Sequence, residues 1–411
     1  MADNAGQVHE RSYSVQQSHL QLTRTRIYNT QFWLLCASSL LFFASFNMLI
    51  PDLPGYLTSL GGPEYKGLII SLFTITAMIS RPFSGKLADT VGRVPVMMVG
   101  SLVCFVCSLL YPLFTSVMGF LLLRLIHGFS TGFKPTGQAA YLSDIIPAER
   151  RGEAMGLLGT ASSIGMAGGP AVGGMLTNQF GHNVMFYCSA AFALLSAIIL
   201  VRIKETVNEK QPFSGKLLTV DRRDLFEPRV LAPSVVMLLL VYSYGTVFTL
   251  IPDFGEHVGI RNKGLLFTYM TIASLMVRLI GGKASDTWGR KPVLRVCSVF
   301  ILIAMLVIAF ADSRLQLTLG VSLYGLAQGA SSPTLLAWAT DLSDPNSKGR
   351  GVASVYIFME FGIGFGAFAS GLIYANDPSR FMLSFTICAA LATLALVYLL
   401  AYKTSSRPVQ D

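Results

Sequence analysis

Residues 85–93 read GKLADTVGR, and residues 282–290 read GKASDTWGR. An arginine stands four residues before each stretch, at Arg81 and at Arg278. The two copies are offset by 197 residues in a chain of 411 residues, which is close to half of its length. A repeat of this size in an apolar chain indicates two copies of one structural unit, as in membrane proteins that are built from internal repeats.

The composition indicates that most of the surface faces something other than water. Hydrophobic residues make up 52% of the chain and charged residues 13%, whereas a soluble protein carries about 25% charged residues. The net charge of +9 would suit nucleic acid, but the charges form short clusters between apolar runs, which is typical of membrane proteins. We therefore expect the lipid bilayer, and no nucleic acid, as a partner of this chain.

Twelve apolar runs are long enough to cross a bilayer, which takes about 20 residues. They cover residues 32–52, 67–86, 95–115, 117–141, 152–177, 184–203, 230–252, 263–283, 293–311, 316–340, 351–374 and 380–402. We expect an all-α membrane protein with twelve transmembrane helices in two pseudo-symmetric six-helix bundles. The expected segments are a cytoplasmic tail 1–30, bundles 31–203 and 230–403, a cytoplasmic linker 204–229 and a cytoplasmic tail 404–411.

The distribution of Lys and Arg predicts the orientation in the membrane. Basic residues concentrate in the two tails, in the linker and in the loops after every second run, and the remaining loops hold few of them. Because basic loops stay on the cytoplasmic side, both termini should be cytoplasmic. We expect a multi-pass protein of the inner (plasma) membrane.

Further matches extend the repeat beyond the duplicated loop. Residues 50–52 and residues 251–253 both read IPD, at the ends of the first and seventh runs. Asp144 and Asp341 stand at the ends of the fourth and tenth runs. Repeats of this kind place a substrate cavity near the bilayer midplane, between the two halves.

The duplicated loop resembles a signature of the major facilitator superfamily, G-x-x-x-D-x-x-G-R-[RK], which lies between the second and third helices of those transporters. The second copy completes it with Lys291. The resemblance implies a latch that joins the two bundles on the cytoplasmic face when the cavity opens outward. The latch residues that it implies are Arg81, Gly85, Asp89, Gly92 and Arg93, with Asp286 and Arg290 in the second copy. A solvated turn with ordinary basic residues is the alternative.

A second motif lies on the fifth run, where residues 165–174 read GMAGGPAVGG. It resembles G-x-x-x-G-P-x-x-G-G, found in the fifth helix of the superfamily's antiporters. The resemblance implies a seal on the outer half of the cavity, formed by Gly165, Gly169, Pro170, Gly173 and Gly174. Small residues at this spacing also let helix backbones approach closely, so helix packing alone is the alternative.

Three charged residues inside apolar runs are candidates for function. Arg124 lies in the fourth run, in a pattern that resembles the superfamily's proton-coupling motif, and snorkelling toward the surface is the alternative. Lys134 follows ten residues later and could line the cavity or reach the inner surface. Glu360, in the middle of the eleventh run, is a candidate proton carrier or substrate ligand; a structural partner for Arg124 or Lys134 is the alternative.

Other residues are weaker candidates. Asp52 could take part in proton coupling, although its position at the end of the first run also suits an outer loop. Asn47 lies one turn deeper and could line the cavity. Tyr242, Tyr244 and Phe248 could form aromatic walls of the cavity, although packing is the commoner role of such residues.

Taken together, the sequence is identified as a member of the major facilitator superfamily, most similar to its twelve-helix drug:proton antiporters. This resemblance implies a monomeric exporter of small amphipathic molecules, with a small-molecule substrate and protons as its partners. A transporter of an anionic metabolite or siderophore, and a receptor-like or lipid-handling protein without coupled flux, remain alternatives. We expect no enzyme, no cofactor and no metal site, because the histidines form no ligand spacing and the chain lacks a phosphate-binding loop.

Overall fold

The computed structural model describes residues 28–146, 151–207, 211–215, 226–343 and 348–402. It leaves out the side chains of residues 143, 151–153, 279, 282, 283, 286, 340, 348–350, 352 and 353. Nearly all of the two expected tails and half of the expected linker therefore lie outside the described residues.

Thirteen α-helices form within the described residues. In chain order they are α1 Thr30–Leu49, α2 Leu53–Ser59, α3 Lys66–Thr90, α4 Arg93–Leu110, α5 Val117–Ile145, α6 Arg151–Phe180, α7 His182–Val201, α8 Leu231–His257, α9 Gly264–Trp288, α10 Arg290–Ala309, α11 Arg314–Leu342, α12 Lys348–Tyr374 and α13 Phe381–Ala401. Each predicted run overlaps one of the long helices. The short helix α2 was not predicted; it starts at Leu53-Pro54, where proline is favoured in the first turn.

Eight helical segments of the described chain are long and apolar enough to cross a membrane. They contain α1, α3, α4, α7, α8, α10 and α13, and the Ser354–Tyr374 part of α12. The other long helices, α5, α6, α9 and α11, have 25 to 30 residues. They are richer in Gly, Ser and Thr, which lowers their hydropathy but allows close helix contacts.

The two halves of the chain repeat one packing pattern. In the first half, α1 packs on α6 and α7, and α5 packs on α3 and α4. In the second half, α8 packs on α12 and α13, and α11 packs on α9 and α10 in the same way. The main contacts between the halves are α3 with α12 and α6 with α9. These two contacts are themselves related by the repeat.

Glycines bring α6 into backbone contact with α1. A Cβ atom on Gly169 would lie 2.5 Å from the carbonyl oxygen of Ala44 and 3.1 Å from its Cα, and Gly165 faces the backbone of Leu40 in the same manner. Although α12 lacks the Gly-Pro pair, its Gly366 packs against the backbone of α8. Close packing of the equivalent helices is therefore common to both halves.

The halves also meet tightly where α3 and α9 begin, an end of the molecule that we call the Lys66 end. Lys66 of α3 forms an ion pair with Asp253 of α8, and both side chains are about nine-tenths buried. Gly67 packs on the backbone of α12, and Gly264 packs on the carbonyl of Pro170 in α6. Any side chain at either glycine would separate the helices, so this end is closed by direct contact.

We predict that Gly169→Ala lowers the melting temperature of the purified protein in detergent. Its Cβ would overlap the backbone of Ala44, and overpacking costs about 1–3 kcal/mol. The matched control is Gly168→Ala, because no atom lies within 4 Å of a Cβ there and alanine is about 1 kcal/mol better than glycine in a helix. The control should melt at or above the wild-type temperature. Equal melting temperatures for the two variants would contradict the packing described above.

Candidate functional site

An ion pair joins the two halves through α3 and α12. Arg81 donates hydrogen bonds from Nη2 and Nε to Oε1 of Glu360, at 2.5 and 3.1 Å. The side chains are 20% and 8% exposed, respectively. The guanidinium also lies 5.0 Å from the ring centre of Tyr356, within range of a cation–π interaction. Breaking such a largely buried pair would cost about 3–5 kcal/mol.

This pair identifies the partner of Glu360, which the sequence left open. Glu360 is a buried carboxylate as expected, but its partner is Arg81 and neither Arg124 nor Lys134. The side chain of Arg81, which was expected at the inner end of the latch, reaches α12; its role in the latch stays a prediction. Because the two residues are 279 positions apart, no local spacing could have shown that they meet.

The repeat places Arg278 on α9 where Arg81 stands on α3, and Arg278 likewise reaches the opposite half. Its Nη1 donates a hydrogen bond to Oγ of Ser163 on α6, at 3.3 Å. Arg278 also lines a cavity of about 210 Å³ between α6, α8, α9, α11 and α12. We expected Arg278 only as part of the repeat, so its place in a cavity is new. The offset of 197 residues from Arg81 was the available signal.

The predicted aromatic wall is present only in part. Tyr244 lines the cavity and stacks on Phe248 with ring centres 4.3 Å apart. Phe248 is buried behind it. Tyr242 is also buried and makes an edge contact with Phe365. Tyr242 and Phe248 are thus packing residues, and Tyr244 is the predicted aromatic residue that faces the cavity.

Arg124 is fully buried inside the first half and does not reach the surface by snorkelling. Its Nε donates to the carbonyl of Ile69 at 3.0 Å, and its Nη1 donates to the hydroxyl of Tyr111 at 3.3 Å. The guanidinium lies 4.6 Å from the ring centre of Phe73. Its Nη2 has no hydrogen-bond partner among the described residues.

Lys134 is enclosed by serine hydroxyls and does not line a cavity. Its Nζ donates to Oγ of Ser38 at 2.7 Å, to Oγ of Ser101 at 2.9 Å and to Oγ of Ser196. The side chain has no exposed surface. Ten residues from Arg124 correspond to about 1000°, roughly 80° short of three helical turns. Lys134 therefore turns toward α1, α4 and α7, whereas Arg124 turns toward α3.

The sequence analysis missed a chain of polar contacts that continues from Arg124. The hydroxyl of Tyr111 lies 3.2 Å from Nδ1 of His127, and Nε2 of His127 lies 3.3 Å from Sγ of Cys104. Oγ of Ser45 lies 3.4 Å from the same sulfur. We set His127 aside because it has no metal-ligand spacing. Its contacts come instead from helices that only the fold brings together.

Of the two candidates at the end of α1, Asn47 makes a local contact and Asp52 contacts α6. Asn47 is buried, and its Nδ2 donates to the carbonyl of Phe43 on the same helix at 2.8 Å. Asp52 accepts a hydrogen bond at 3.2 Å from Thr177 near the end of α6. Asp52 therefore lies at the Lys66 end of the molecule, directly before α2, which agrees with its position at the end of the first run.

The first duplicated loop is held by several carboxylates. Arg93 forms ion pairs with Asp89 and, through Nε at 3.1 Å, with Asp144 of α5. The carboxylate of Glu205 accepts hydrogen bonds from the backbone N–H groups of Arg93 and Val94, both at 3.0 Å. Glu205 thereby caps the N-terminus of α4, where a negative charge is stabilising.

The loop glycines differ in their surroundings. Gly92 adopts a φ of 138° and faces Glu205, which only glycine tolerates without strain. Gly85 has open space around it.

The second loop repeats the main contact of the first. Arg290 donates from Nε to Asp341 of α11 at 2.9 Å, the counterpart of the contact between Arg93 and Asp144. The side chain of Asp286 lies outside the described residues.

The remaining motif glycines on α6 face α1 and the second half. Gly173 packs against the backbone of Met48, and Gly174 packs against the side chain of Asn262, just before α9. Asn262 also donates from Nδ2 to the carbonyl of Ala171 at 3.3 Å. The motif thus provides contacts both within the first half and between the halves.

A repeated helical architecture with a buried ion pair between its halves and a cavity lined by helices of both halves is typical of secondary transporters. Residues 35–262 and 260–411 each match the sequence profile of the Major Facilitator Superfamily, so this chain belongs to that superfamily. It is therefore a multi-pass membrane transporter and not an enzyme, and its resemblance to drug:proton antiporters is confirmed by the relatives below.

Those relatives include bacterial multidrug resistance proteins, one of which is named an efflux pump. The chain is 29% identical over 331 residues to the multi-drug resistance efflux pump PmrA of Streptococcus pneumoniae, covering 78% of this chain and 83% of the pump. It is 26% identical over 365 residues to the multidrug resistance protein MdtG of Escherichia fergusonii, covering 85% and 88%. The crystal structure of a D-xylose-proton symporter has the same fold, with a TM-score of 0.74, 18% identity and coverage of 90% and 97%.

We predict that Asp144→Asn lowers the melting temperature more than Asp89→Asn does. The side chain of Asp89 is 70% exposed, and exposed ion pairs contribute about 0–1 kcal/mol. Asp144 holds Nε of Arg93 and also accepts a hydrogen bond at 2.5 Å from Thr206, so its loss frees the segment after α7 as well. The test is thermal unfolding of both variants in the same detergent. A larger loss for Asp89→Asn would contradict this ranking.

Proposed function

We propose that the protein is a proton-coupled antiporter that exports small amphipathic molecules by alternating access. The observation that carries this proposal is the pair between Arg81 and Glu360, because it places a titratable carboxyl on the contact between the halves. The similarity to a named multidrug efflux pump supports export as the direction of transport.

The proposed topology has all twelve long helices crossing the membrane. The repeated packing supports two six-helix bundles over 31–203 and 230–403, and the short helix α2 would lie at the surface. The basic residues of the tails, linker and loops support a cytoplasmic location for both termini and for the duplicated loops. The Lys66 end is then the outer end, so the conformation described above is closed toward the outside.

Proton coupling follows from the charge of Glu360. As a carboxylate it holds Arg81 and ties α12 to α3. Protonation removes that charge and weakens the bond between the halves, so the two bundles can rock about the cavity. A proton taken up from one side and released on the other would link each such movement to the proton gradient.

The conformational change also requires the contacts of the Lys66 end to open. The ion pair between Lys66 and Asp253 and the packing at Gly67 and Gly264 would break when the cavity opens outward. The duplicated loops would then bring the cytoplasmic ends together, which is the latch role inferred for Asp89 and Arg93. Arg124 has an unpartnered donor in the first half and would act in the same proton-coupled step.

We predict that Glu360→Gln abolishes proton-driven accumulation in inside-out membrane vesicles and leaves exchange of substrate for substrate. Glutamine keeps the size and hydrogen bonding of the side chain but cannot carry a proton. The measurement is uptake of a panel of amphipathic dyes and aromatic acids with an acidic vesicle interior.

The matched control is Glu256→Gln, because that carboxylate pairs with Lys263 at an exposed position. The control should accumulate substrate like the wild type. Unchanged proton-driven accumulation by Glu360→Gln would reject Glu360 as the proton carrier.

A further inference from the structure

We propose that Arg278 is the anion-binding residue of the cavity, and that the transported molecule is a small amphipathic carboxylate. The transport part of this statement rests on the function proposed above. The binding part rests on the cavity alone.

The charge of the cavity favours a negative ligand. Among its described lining residues, Arg278 is the one that carries a charge, and the lining includes no carboxylate. Its polar neighbours are neutral, namely Ser163, Tyr244, Thr271, Ser274, Gln328 and Ser332. A guanidinium with no carboxylate beside it repels a cationic ligand and attracts an anion.

The hydrogen bonding of Arg278 is far from complete. A guanidinium has five N–H donors, and the described residues give Arg278 one hydrogen bond, to Ser163 at 3.3 Å. Gln328, the amide in the same cavity, is engaged elsewhere, because its Nε2 donates to Tyr324 and its Oε1 accepts from Ser331. Arg278 is an exposed residue that lines the cavity, so its remaining donors are accessible to a ligand there.

The first half shows what the equivalent arginine binds. Arg81 reaches across to α12 and meets the carboxylate of Glu360 at 2.5 and 3.1 Å. Arg278 reaches across to α6 by the same route and meets only a hydroxyl. The repeat thus provides one arginine with a carboxylate partner from the protein and leaves the other without one. A carboxylate on the ligand would complete the second pair, with the strength of a charge-assisted hydrogen bond.

The walls of the cavity indicate the chemistry and size of the part of the ligand that does not contact Arg278. Methionine and aliphatic side chains from α6, α8, α9 and α12 line it together with the ring of Tyr244. Methionine adapts its shape and contacts aromatic rings favourably. The volume of about 210 Å³ is below the range of about 300–1,000 Å³ that is usual for drug-sized ligands. These features suit an acid with one or two aromatic rings.

The test is binding of radiolabelled naphthoate, an aromatic monoanion, to purified full-length protein in detergent. We expect the wild type to bind it and Arg278→Gln to bind it at least about tenfold more weakly, as expected when a charged hydrogen-bonding partner is lost. Arg278→Lys should retain part of the affinity, because it keeps the charge but not the planar fork. Ethidium, an aromatic cation, should bind no more weakly to Arg278→Gln than to the wild type.

Ser163 offers an independent variant that leaves the arginine in place. Ser163→Asp should weaken naphthoate binding like Arg278→Gln, because it gives Arg278 an internal carboxylate where the hydroxyl now lies. Ser163→Asn has the same size without the charge and should bind within about threefold of the wild type. A sharp melting transition for each variant will show that it is folded.

Three results would overturn the assignment of Arg278. They are a wild type that fails to bind naphthoate, equal naphthoate affinities for the wild type and Arg278→Gln, and equal losses for Ser163→Asp and Ser163→Asn. Failure of the proposed function gives a different pattern, in which naphthoate binds through Arg278 but an imposed proton gradient drives no accumulation in vesicles.

Discussion

A charge held at membrane depth needs a partner, because an isolated ion there costs several kcal/mol, and this constraint organises the contact between the two halves. Glu360 obtains such a partner by pairing with Arg81 from the opposite half. The pair therefore depends on the halves being in contact, and the contact depends on the charge of the carboxyl. In the proposed mechanism a proton on Glu360 would change both at once, and this would link proton binding to the rearrangement.

The internal repeat places equivalent residues in the two halves, but these residues have different partners. Arg81 and Arg278 occupy equivalent positions on α3 and α9, and each crosses to the other half. One meets a carboxylate, and the other meets the hydroxyl of Ser163 beside a cavity. The equivalence supports the proposed rocking of one half against the other, and the difference separates the proposed proton site from the proposed ligand site.

The sequence was sufficient for the helical fold because apolar length and repeated motifs are local signals, and the superfamily follows from them. It could not reveal the partner of Glu360, since only the packing of α3 on α12 brings Arg81 to it. Lys134 is not a cavity residue because ten residues along α5 fall roughly 80° short of three full turns, so its side chain points toward serine hydroxyls of neighbouring helices. Such sites depend on the angular positions of side chains around each helix, and the lengths of apolar runs do not reveal these positions.

The most direct test of the central claim is a double-mutant cycle on the two residues of the cross-half pair. Arg81→Gln, Glu360→Gln and the double variant would be melted in one detergent at one pH. If the two side chains bind each other across the halves, the double variant should melt close to the single variants, because each change removes the same interaction. Melting temperatures that fall by the sum of the two single effects would show that the residues act independently, and would contradict the account.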